Sequence, residues 1–429
     1  MPVVHNERLL DWLGTDYNAA GLQQLRAFLA HQGTLQFPSL PNGLFPAASV
    51  SSETAYTGYA HVWIRDNIHI AHAHHATGRT AVAARTLETL MAYWQKHRHR
   101  LDAIIAGRAH PQDPMARPQV RFDGRNLAEL SQKWAHAQND ALGYFLWLYS
   151  TLAREGAITL SAEAAETLAR FPPYLRAIQY WADQDSGHWE ETPKIEASSI
   201  GTVLAGLKAL QSLSDRGDCP QLDARELADL IARGEGALSE ILPAECVQSH
   251  PSQYRRYDAA LLFSIYPLQV VGTEMADRIL EDVTTQLQGT YGIRRYRGDS
   301  YWCGDYKQKL APEERTADFS DRIEARDALL APGDEAQWCI FDPIVSTIYG
   351  RRYQAWGQPH DRERQIHYLN RALGQLTGPD SGFEALRCPE LYHREGERYV
   401  PSDATPLLWT QGNLAVALEA MAQSVQEPE

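Results

Sequence analysis

Cysteine, positive charge and long apolar runs are all scarce in this chain of 429 residues. The five cysteines are scattered without a C-x-x-C pair, which favours reduced thiols in the cytoplasm and gives no metal-ligand set. With 54 acidic and 40 basic residues the net charge is −14, so no nucleic-acid partner is expected. No secretory signal begins the chain and no stretch reaches the roughly 20 apolar residues that span a bilayer, so no membrane partner is expected.

Strand-like alternation is also nearly absent, whereas apolar residues recur at helical spacing almost throughout. This pattern predicts twelve helices, at 8–32, 64–76, 80–107, 136–154, 161–182, 197–213, 222–241, 256–266, 273–287, 335–354, 360–376 and 405–424.

The links between these helices alternate between short and long. The short links hold turn residues and make neighbouring helices antiparallel, so the long links should all emerge at one end. Long loops in compact proteins are usually functional. The long links are 33–63, 108–135, 183–196, 242–255, 288–334 and 377–404. We therefore predict an all-α fold, an (α/α)6 toroid of six helical hairpins forming one domain over 1–429, with the active site at the long-loop end.

Motifs for nucleotide binding, zinc proteases and serine hydrolases are missing. Instead, the loop 183–196 carries Glu190 and Glu191 directly after Trp189. An indole beside a carboxyl removes it from water and raises its pKa towards the range of a general acid, and an adjacent carboxylate acts in the same direction. The alternative interpretation is an acidic, solvated loop that precedes a helix.

A second group of carboxylates, which includes Glu390, lies in the loop 377–404 and should open on the same end of the toroid. Two carboxyls that face each other across a pocket rimmed by Trp and Tyr are the minimum apparatus for glycoside hydrolysis. A solvated acidic loop is again the alternative.

Other polar and aromatic residues occur at the ends of the long links. Arg65 and Asp66 follow Trp63 and could bind sugar hydroxyls, although a salt bridge at a helix start is the alternative. Later links supply Trp134 with Asp140, and Arg295 with neighbouring aromatic residues.

Together, these segments resemble glycoside hydrolase family 15, the glucoamylases, and the related domains of phosphorylase kinase regulatory subunits. Tyr59 with Trp63-Ile-Arg65-Asp66 is similar to the segment whose Arg and Asp hold the non-reducing-end sugar in that family. The resemblance likewise implies that Trp134, in its segment with Asp140, packs against substrate, and that Arg295 contacts substrate.

The two catalytic assignments also follow from this resemblance. Trp189-Glu190-Glu191 is similar to the family segment in which the first Glu is the general acid and the second binds sugar. Pro389-Glu390-Leu391-Tyr392 resembles the segment of the general base, and Trp409 resembles the Trp that follows it in the last helix. Leu391 stands where glucoamylases have Gln, and this segment is more similar to the kinase-subunit branch.

The resemblance implies an inverting, exo-acting α-glucoside hydrolase that needs no cofactor or metal. Glu190 would protonate the glycosidic oxygen while Glu390 deprotonates a water, which requires the two carboxyls to stand roughly 6.5–9.5 Å apart. The partner would be an α-linked glucose oligosaccharide or glucan. Two alternatives remain open: a glucan-binding or regulatory protein without turnover, and an enzyme of another class such as a trehalase. Linkage preference, chain-length preference and oligomeric state do not follow from the sequence. The charged run 307–334 is expected to be a solvated excursion or a lid.

Overall fold

A computed structural model describes residues 2–49 and 54–425 of the chain. Sixteen α-helices occur within these residues. They are α1 (Ala19–His31), α2 (Ile64–Ala76), α3 (Thr80–Lys96), α4 (His99–Ile105), α5 (Asn139–Arg154), α6 (Ala162–Leu168), α7 (Phe171–Ile178), α8 (Ala197–Asp215), α9 (Ala224–Ile241), α10 (Leu262–Ile265), α11 (Thr273–Gln286), α12 (Tyr306–Lys309), α13 (Ile323–Asp327), α14 (Phe341–Trp356), α15 (Pro359–Gly374) and α16 (Leu408–Val425). No described helix is both long enough and apolar enough to cross a lipid bilayer.

Six of these helices form a closed inner ring. Each contacts the next in the order α2, α5, α8, α10, α14 and α16, and α16 returns to α2. Outer helices pack against them, for example α3 on α2, α9 on α8 and α15 on α14. The prediction of an (α/α)6 toroid is therefore confirmed.

Side-chain patterning explains why a helix lies inside or outside. The inner helix α16 is buried on nearly all faces, as its run of Leu, Ala and Val residues requires. The outer helix α9 buries only one stripe, which includes Leu227, Leu230 and Leu238, and its other face is polar. Asp223 accepts hydrogen bonds from the first backbone N–H groups of α9 and so fixes its start.

Three predicted helices are interrupted in the structure. The segment 8–32 is a 3₁₀ helix (Glu7–Trp12) followed by α1, 80–107 divides into α3 and α4, and 161–182 divides into α6 and α7. The apolar period continues through each break, so periodicity alone does not reveal it.

Eight short strands occur among the described residues, in the segments between helices. They are β1 (Val62–Trp63), β2 (Arg121–Asp123), β3 (Ala128–Glu129), β4 (Cys246–Val247), β5 (Tyr254–Arg255), β6 (Gln337–Trp338), β7 (Leu391–Glu395) and β8 (Arg398–Pro401). All pairings are antiparallel, in sheets β1-β2-β3, β4-β5 and β6-β7-β8. The first and third sheets join segments distant in sequence, and their register places Trp63 opposite Arg121 and Trp338 opposite Leu391.

Candidate active site

A cavity opens at the end of the ring where these loops meet. Ten of the twelve residues singled out from the sequence line it: Tyr59, Trp63, Arg65, Asp66, Trp134, Trp189, Glu190, Arg295, Glu390 and Trp409. The floor of the cavity is the ring interior, where Trp409 stacks on His69 with 4.5 Å between ring centroids and on Phe263 with 5.5 Å. The cavity is therefore closed at its inner end.

Glu190 lies on a tight turn that points its side chain at the cavity. Its φ of +57° is in the left-handed region, which residues with a Cβ rarely adopt. Gly187 precedes it with a φ of +53°, and a Cβ there would lie 1.5 Å from a carboxylate oxygen of Glu196. Backbone strain of this kind persists only where the surroundings enforce it, which is typical of functional sites.

Three donors converge on one oxygen of the Glu190 carboxyl. Its Oε1 accepts hydrogen bonds from Trp63 Nε1 at 2.8 Å, Gln138 Nε2 at 3.1 Å and Arg65 at 3.2 Å. Burial raises the pKa of Glu190 above its usual value, although Arg65, Arg121 and these hydrogen bonds oppose the rise. The group can therefore hold a proton more readily than a solvated glutamate.

Glu390 lies immediately before β7 and is 3% exposed. Its Oε1 accepts a hydrogen bond from Tyr59 Oη at 2.7 Å, and its Oε2 accepts one from Ser402 Oγ at 3.3 Å. Burial raises the pKa of Glu390 to about 7, while the hydrogen bond from Tyr59 and the charge of Arg295 act in the opposite direction. Near neutral pH this carboxyl can thus accept a proton.

Arg65 and Asp66 begin α2 and face the cavity differently. Arg65 binds Asp140 at 2.7 Å and also binds Glu190. Its guanidinium therefore holds the Glu190 carboxyl in place. Among the described residues no other side chain forms a hydrogen bond or an ion pair with the Asp66 carboxyl, and burial raises its pKa to about 7. Its oxygens are therefore available to hydroxyl groups that enter the cavity.

Glu191 and Asp140 do not line the cavity but lie behind its wall. Glu191 is 2% exposed and binds Arg255 at 3.0 Å, Arg326 at 2.8 Å and Arg295 at 3.3 Å. Burial alone would raise the pKa of Glu191, but these three cations hold it well below the usual value. Its permanent charge fixes the guanidinium groups that border the site.

Asp140 binds Arg65 in the same way as Glu191 binds its three arginines. Burial would raise its pKa, yet the Arg65 guanidinium keeps the pKa below the ordinary value. Glu191 and Asp140 were expected from the sequence to belong to the binding surface. In the structure they lie behind the residues that line the cavity.

Nine residues line the cavity in addition to the ten predicted site residues, and they include Tyr301, Trp338, Asp318 and Arg326. Tyr301 is hydrogen-bonded to Tyr59 through their hydroxyls at 2.9 Å, and Trp338 lies on β6, although a helix was predicted there. Asp318 and Arg326 come from the charged run 307–334. From its charged composition this run was expected to be a solvated excursion or a lid, and composition did not indicate which of its residues line the cavity.

Some of the buried unpaired polar atoms belong to residues that line this cavity. The indole N–H groups of Trp134, Trp338 and Trp409 are buried and have no hydrogen-bond partner among the described residues. Buried donors in native proteins nearly always have a partner. The flat indole faces of these residues suit a sugar ring. Among the described residues, no group of three His, Cys, Asp or Glu side chains could hold a metal ion.

The fold is thus a helical toroid, and its cavity is lined by two carboxyls, Glu190 and Glu390. A family model described as "Glycosyl hydrolases family 15" matches residues 25–317. The chain belongs to this family.

Individual relatives divide into regulatory proteins and enzymes. A probable phosphorylase b kinase regulatory subunit alpha of Caenorhabditis elegans is 26% identical over 415 residues, which cover 82% of this chain and 30% of that protein. The chain thus spans about a third of the length of the curated relatives it matches.

Two solved structures share the fold. A glycosidase variant in complex with glucose has a TM-score of 0.65 and 17% identity, with coverage of 95% of this chain and 99% of that one. A glucoamylase from Saccharomycopsis fibuligera has a TM-score of 0.62 and 12% identity, with coverage of 96% and 97%.

Proposed function

We propose that this protein is an inverting, exo-acting α-glucoside hydrolase that releases glucose from α-linked oligosaccharides or glucans. The observation that carries the proposal is that Glu190 and Glu390 line one cavity, each with a raised pKa and each bonded to its own set of donors. Because the cavity is closed at its inner end, a glucan would enter by its terminal sugar, which supports exo-action.

In this mechanism Glu190 donates its proton to the glycosidic oxygen and the bond to the anomeric carbon breaks. Glu390 takes a proton from a water, whose oxygen attacks the anomeric carbon from the opposite face. Asp66 accepts hydrogen bonds from hydroxyls of the terminal sugar, and Arg65 keeps Glu190 in place. Glu191 acts indirectly, as a positioning residue for Arg295.

Relatives support the chemical class of the ligand. One solved structure with the same fold is described as a glycosidase in complex with glucose, and another as a glucoamylase. The indole rings that line the cavity of this chain fit the same kind of ligand.

The test is a product assay on maltose, isomaltose, trehalose and maltotetraose, with the released anomer followed by NMR. The parent chain should release β-glucose first, whereas Glu190→Gln and Glu390→Gln should each lose nearly all turnover. Glu384→Gln is the matched control, because Glu384 lies in the same loop as Glu390 but its side chain is 77% exposed. If Glu190→Gln hydrolyses maltose as fast as the parent chain, the assignment is wrong. Rapid cleavage of trehalose alone would instead favour a trehalase.

A second candidate is a glucan-binding or regulatory protein that keeps the site without turnover. It is favoured by the curated relatives, which are regulatory subunits of phosphorylase b kinase. This candidate predicts that maltose binds in calorimetry and that no α-glucoside is hydrolysed. It also predicts that Glu190→Gln and the parent chain behave alike, because neither hydrolyses these sugars.

A further inference from the structure

Arg326 belongs to α13 and is a cavity residue that the sequence motifs do not single out. Its side chain is 5% exposed, and it lines the same cavity as Glu190 and Glu390. It also lies beyond residue 317, where the match to the family model ends. Arg326 therefore brings a cation to the cavity wall that neither the motifs nor the family match assigns.

Two of the three guanidinium nitrogens of Arg326 are held by residues that do not line the cavity. Nη2 donates to Glu191 Oε1 at 2.8 Å, and Nε donates to Ser300 Oγ at 3.0 Å. The Ser300 hydroxyl in turn donates to Asp327 Oδ1 at 2.5 Å, so its oxygen is left to accept from Arg326. Because a guanidinium is planar and rigid, these bonds fix the orientation of the whole group.

The third nitrogen, Nη1, has no hydrogen-bond partner among the described residues. It is not fully enclosed either, in contrast to the unpaired Nε of Arg65. Arg326 lines the cavity, and its other two nitrogens are bonded to residues behind the wall. Nη1 is therefore the nitrogen that is left to donate to a ligand in the cavity.

Contacts connect Arg326 to the surroundings of both proposed catalytic residues. Its Cζ is 5.6 Å from the ring centroid of Tyr301. The Tyr301 hydroxyl is 2.9 Å from that of Tyr59, which donates to Glu390 at 2.7 Å. On its other side, Arg326 binds Glu191, the residue that directly follows the proposed acid. The guanidinium thus belongs to the part of the wall that supports the two carboxyls.

The ion pairs of this wall favour a neutral acceptor over an anion. Three arginines surround Glu191, and two of them each bind a further carboxylate, Asp299 or Asp258. Each guanidinium, including that of Arg326, therefore has a carboxylate within ion-pair distance. A hydroxyl oxygen of a sugar is the acceptor that suits Nη1 in this environment.

We propose that Arg326 is a substrate-binding residue whose Nη1 donates a hydrogen bond to one hydroxyl oxygen of a bound α-glucoside. This inference rests on the proposed function, because it adds a specificity-determining residue to the same site. A hydrogen bond from a charged donor is stronger than a neutral one, so a sugar that lacks this hydroxyl should bind less well. Lysine cannot replace arginine here, because its single nitrogen cannot bind Glu191, Ser300 and the sugar together.

The test compares maltose with its monodeoxy analogues, each of which lacks one hydroxyl. Calorimetry measures each Kd in a Glu190→Gln background, which is expected to remove turnover, with and without Arg326→Lys. Arg326→Lys should weaken the binding of maltose about tenfold, as expected for a lost hydrogen bond from a charged group. One analogue should bind the background protein about tenfold more weakly than maltose does, yet bind both proteins within twofold, because the hydroxyl and its donor act as a pair.

Arg322→Lys is the matched control, because Arg322 directly precedes α13, is exposed and does not line the cavity. It should leave every Kd within twofold. Equal weakening of maltose and of all analogues by Arg326→Lys would mean that Arg326 acts only through the fold, and it would overturn the proposal. An unchanged Kd for maltose would overturn it as well. If Arg326→Lys does not fold, Ser300→Ala takes its place, because it removes the acceptor that orients the guanidinium, and the same outcomes decide.

The same measurements keep this proposal separate from the proposed function. If the parent chain binds maltose but hydrolyses no α-glucoside, the proposed function fails, and the calorimetric comparison still decides the role of Arg326. If maltose does not bind, the role of Arg326 fails, whereas the product assay still decides the proposed function.

Discussion

Tyr59 and Trp63 donate hydrogen bonds to different carboxyls although their ring centroids are only 5.5 Å apart. Tyr59 Oη donates to Glu390 at 2.7 Å, and Trp63 Nε1 donates to Glu190 at 2.8 Å. One short segment before α2 thus contacts both proposed catalytic groups. Each bond favours the ionised form of its carboxyl and so lowers its pKa. Removal of one donor should therefore shift one pKa and not the other.

Tyr59→Phe should move the acid limb of the pH profile of kcat/KM to higher pH. The pKa of Glu390 is about 7, and loss of the Tyr59 hydroxyl removes a hydrogen bond that lowers it. A base is active when ionised, so activity is lost as the pH falls through this value, and the variant should lose it at a higher pH. The measurement is kcat/KM for maltose between pH 4 and 9. Tyr17→Phe is a control, because the Tyr17 hydroxyl binds Asn370 outside the cavity. An unchanged acid limb would contradict the role of Glu390.

Trp63→Phe should instead move the alkaline limb to higher pH. The substitution keeps an aromatic ring but removes the N–H that favours ionised Glu190, so the pKa of Glu190 should rise. An acid is active when protonated, and the variant should therefore keep its activity to a higher pH. Trp94→Phe makes the same change at a buried indole outside the cavity and should leave the limb in place. If only the acid limb shifted, Glu190 would be the base and Glu390 the acid.

The fold could be predicted from the sequence because its signals are local. The helix expected at 64–76 is α2 (Ile64–Ala76), and the alternation of short and long links indicates which end carries the loops. The break between α3 and α4 could not be predicted, since His97 there is hydrogen-bonded to the distant carbonyl of Leu127 at 2.9 Å. Tertiary contacts of this kind leave the apolar period unchanged.

Some residues of the candidate site could likewise be predicted from the sequence, and others could not. Residues beside a helix start, such as Arg65 and Trp409, could be located from motifs and topology. Trp338 was expected inside a helix, but pairing with β7 makes its segment a strand. Asp318 and Arg326 lie at the cavity because long-range ion pairs and hydrogen bonds hold the segment 306–334 against other loops. Composition alone does not indicate these contacts.

Glu245 should contribute stability that is lost as the pH rises, because its buried carboxyl has a raised pKa. Glu245 is 2% exposed, and burial together with the charges of Asp258 and Glu196 raises its pKa well above the usual 4.5. The folded state therefore holds a proton on Glu245 that the unfolded state releases, so the contribution of Glu245 to stability is full below about pH 4.5 and is lost as the pH rises towards its folded pKa.

Glu245→Gln removes this titration. The change in the free energy of unfolding between pH 5 and pH 9, measured in urea, should therefore be more positive for the variant than for the parent chain. Glu240→Gln on the exposed face of α9 should follow the parent chain. Parallel curves for Glu245→Gln and the parent would show that Glu245 does not titrate in this range.

Gly143 lies where α5 and α8 of the inner ring approach each other closely. A larger residue at this position should destabilise the fold. A Cβ on Gly143 of α5 would lie 2.5 Å from backbone atoms of Thr202 in α8, and backbone cannot yield as a flexible side chain would. Gly143→Ala should therefore lower the free energy of unfolding by about 1–3 kcal/mol, the usual cost of overpacking. Gly236→Ala is the matched control, because Gly236 lies inside α9 with nothing within 4 Å of the added Cβ. There, the higher helix propensity of alanine should stabilise the protein by about 0.5–1 kcal/mol. Urea unfolding of the two variants checks both signs, and equal effects would mean that α5 and α8 do not pack as closely as described.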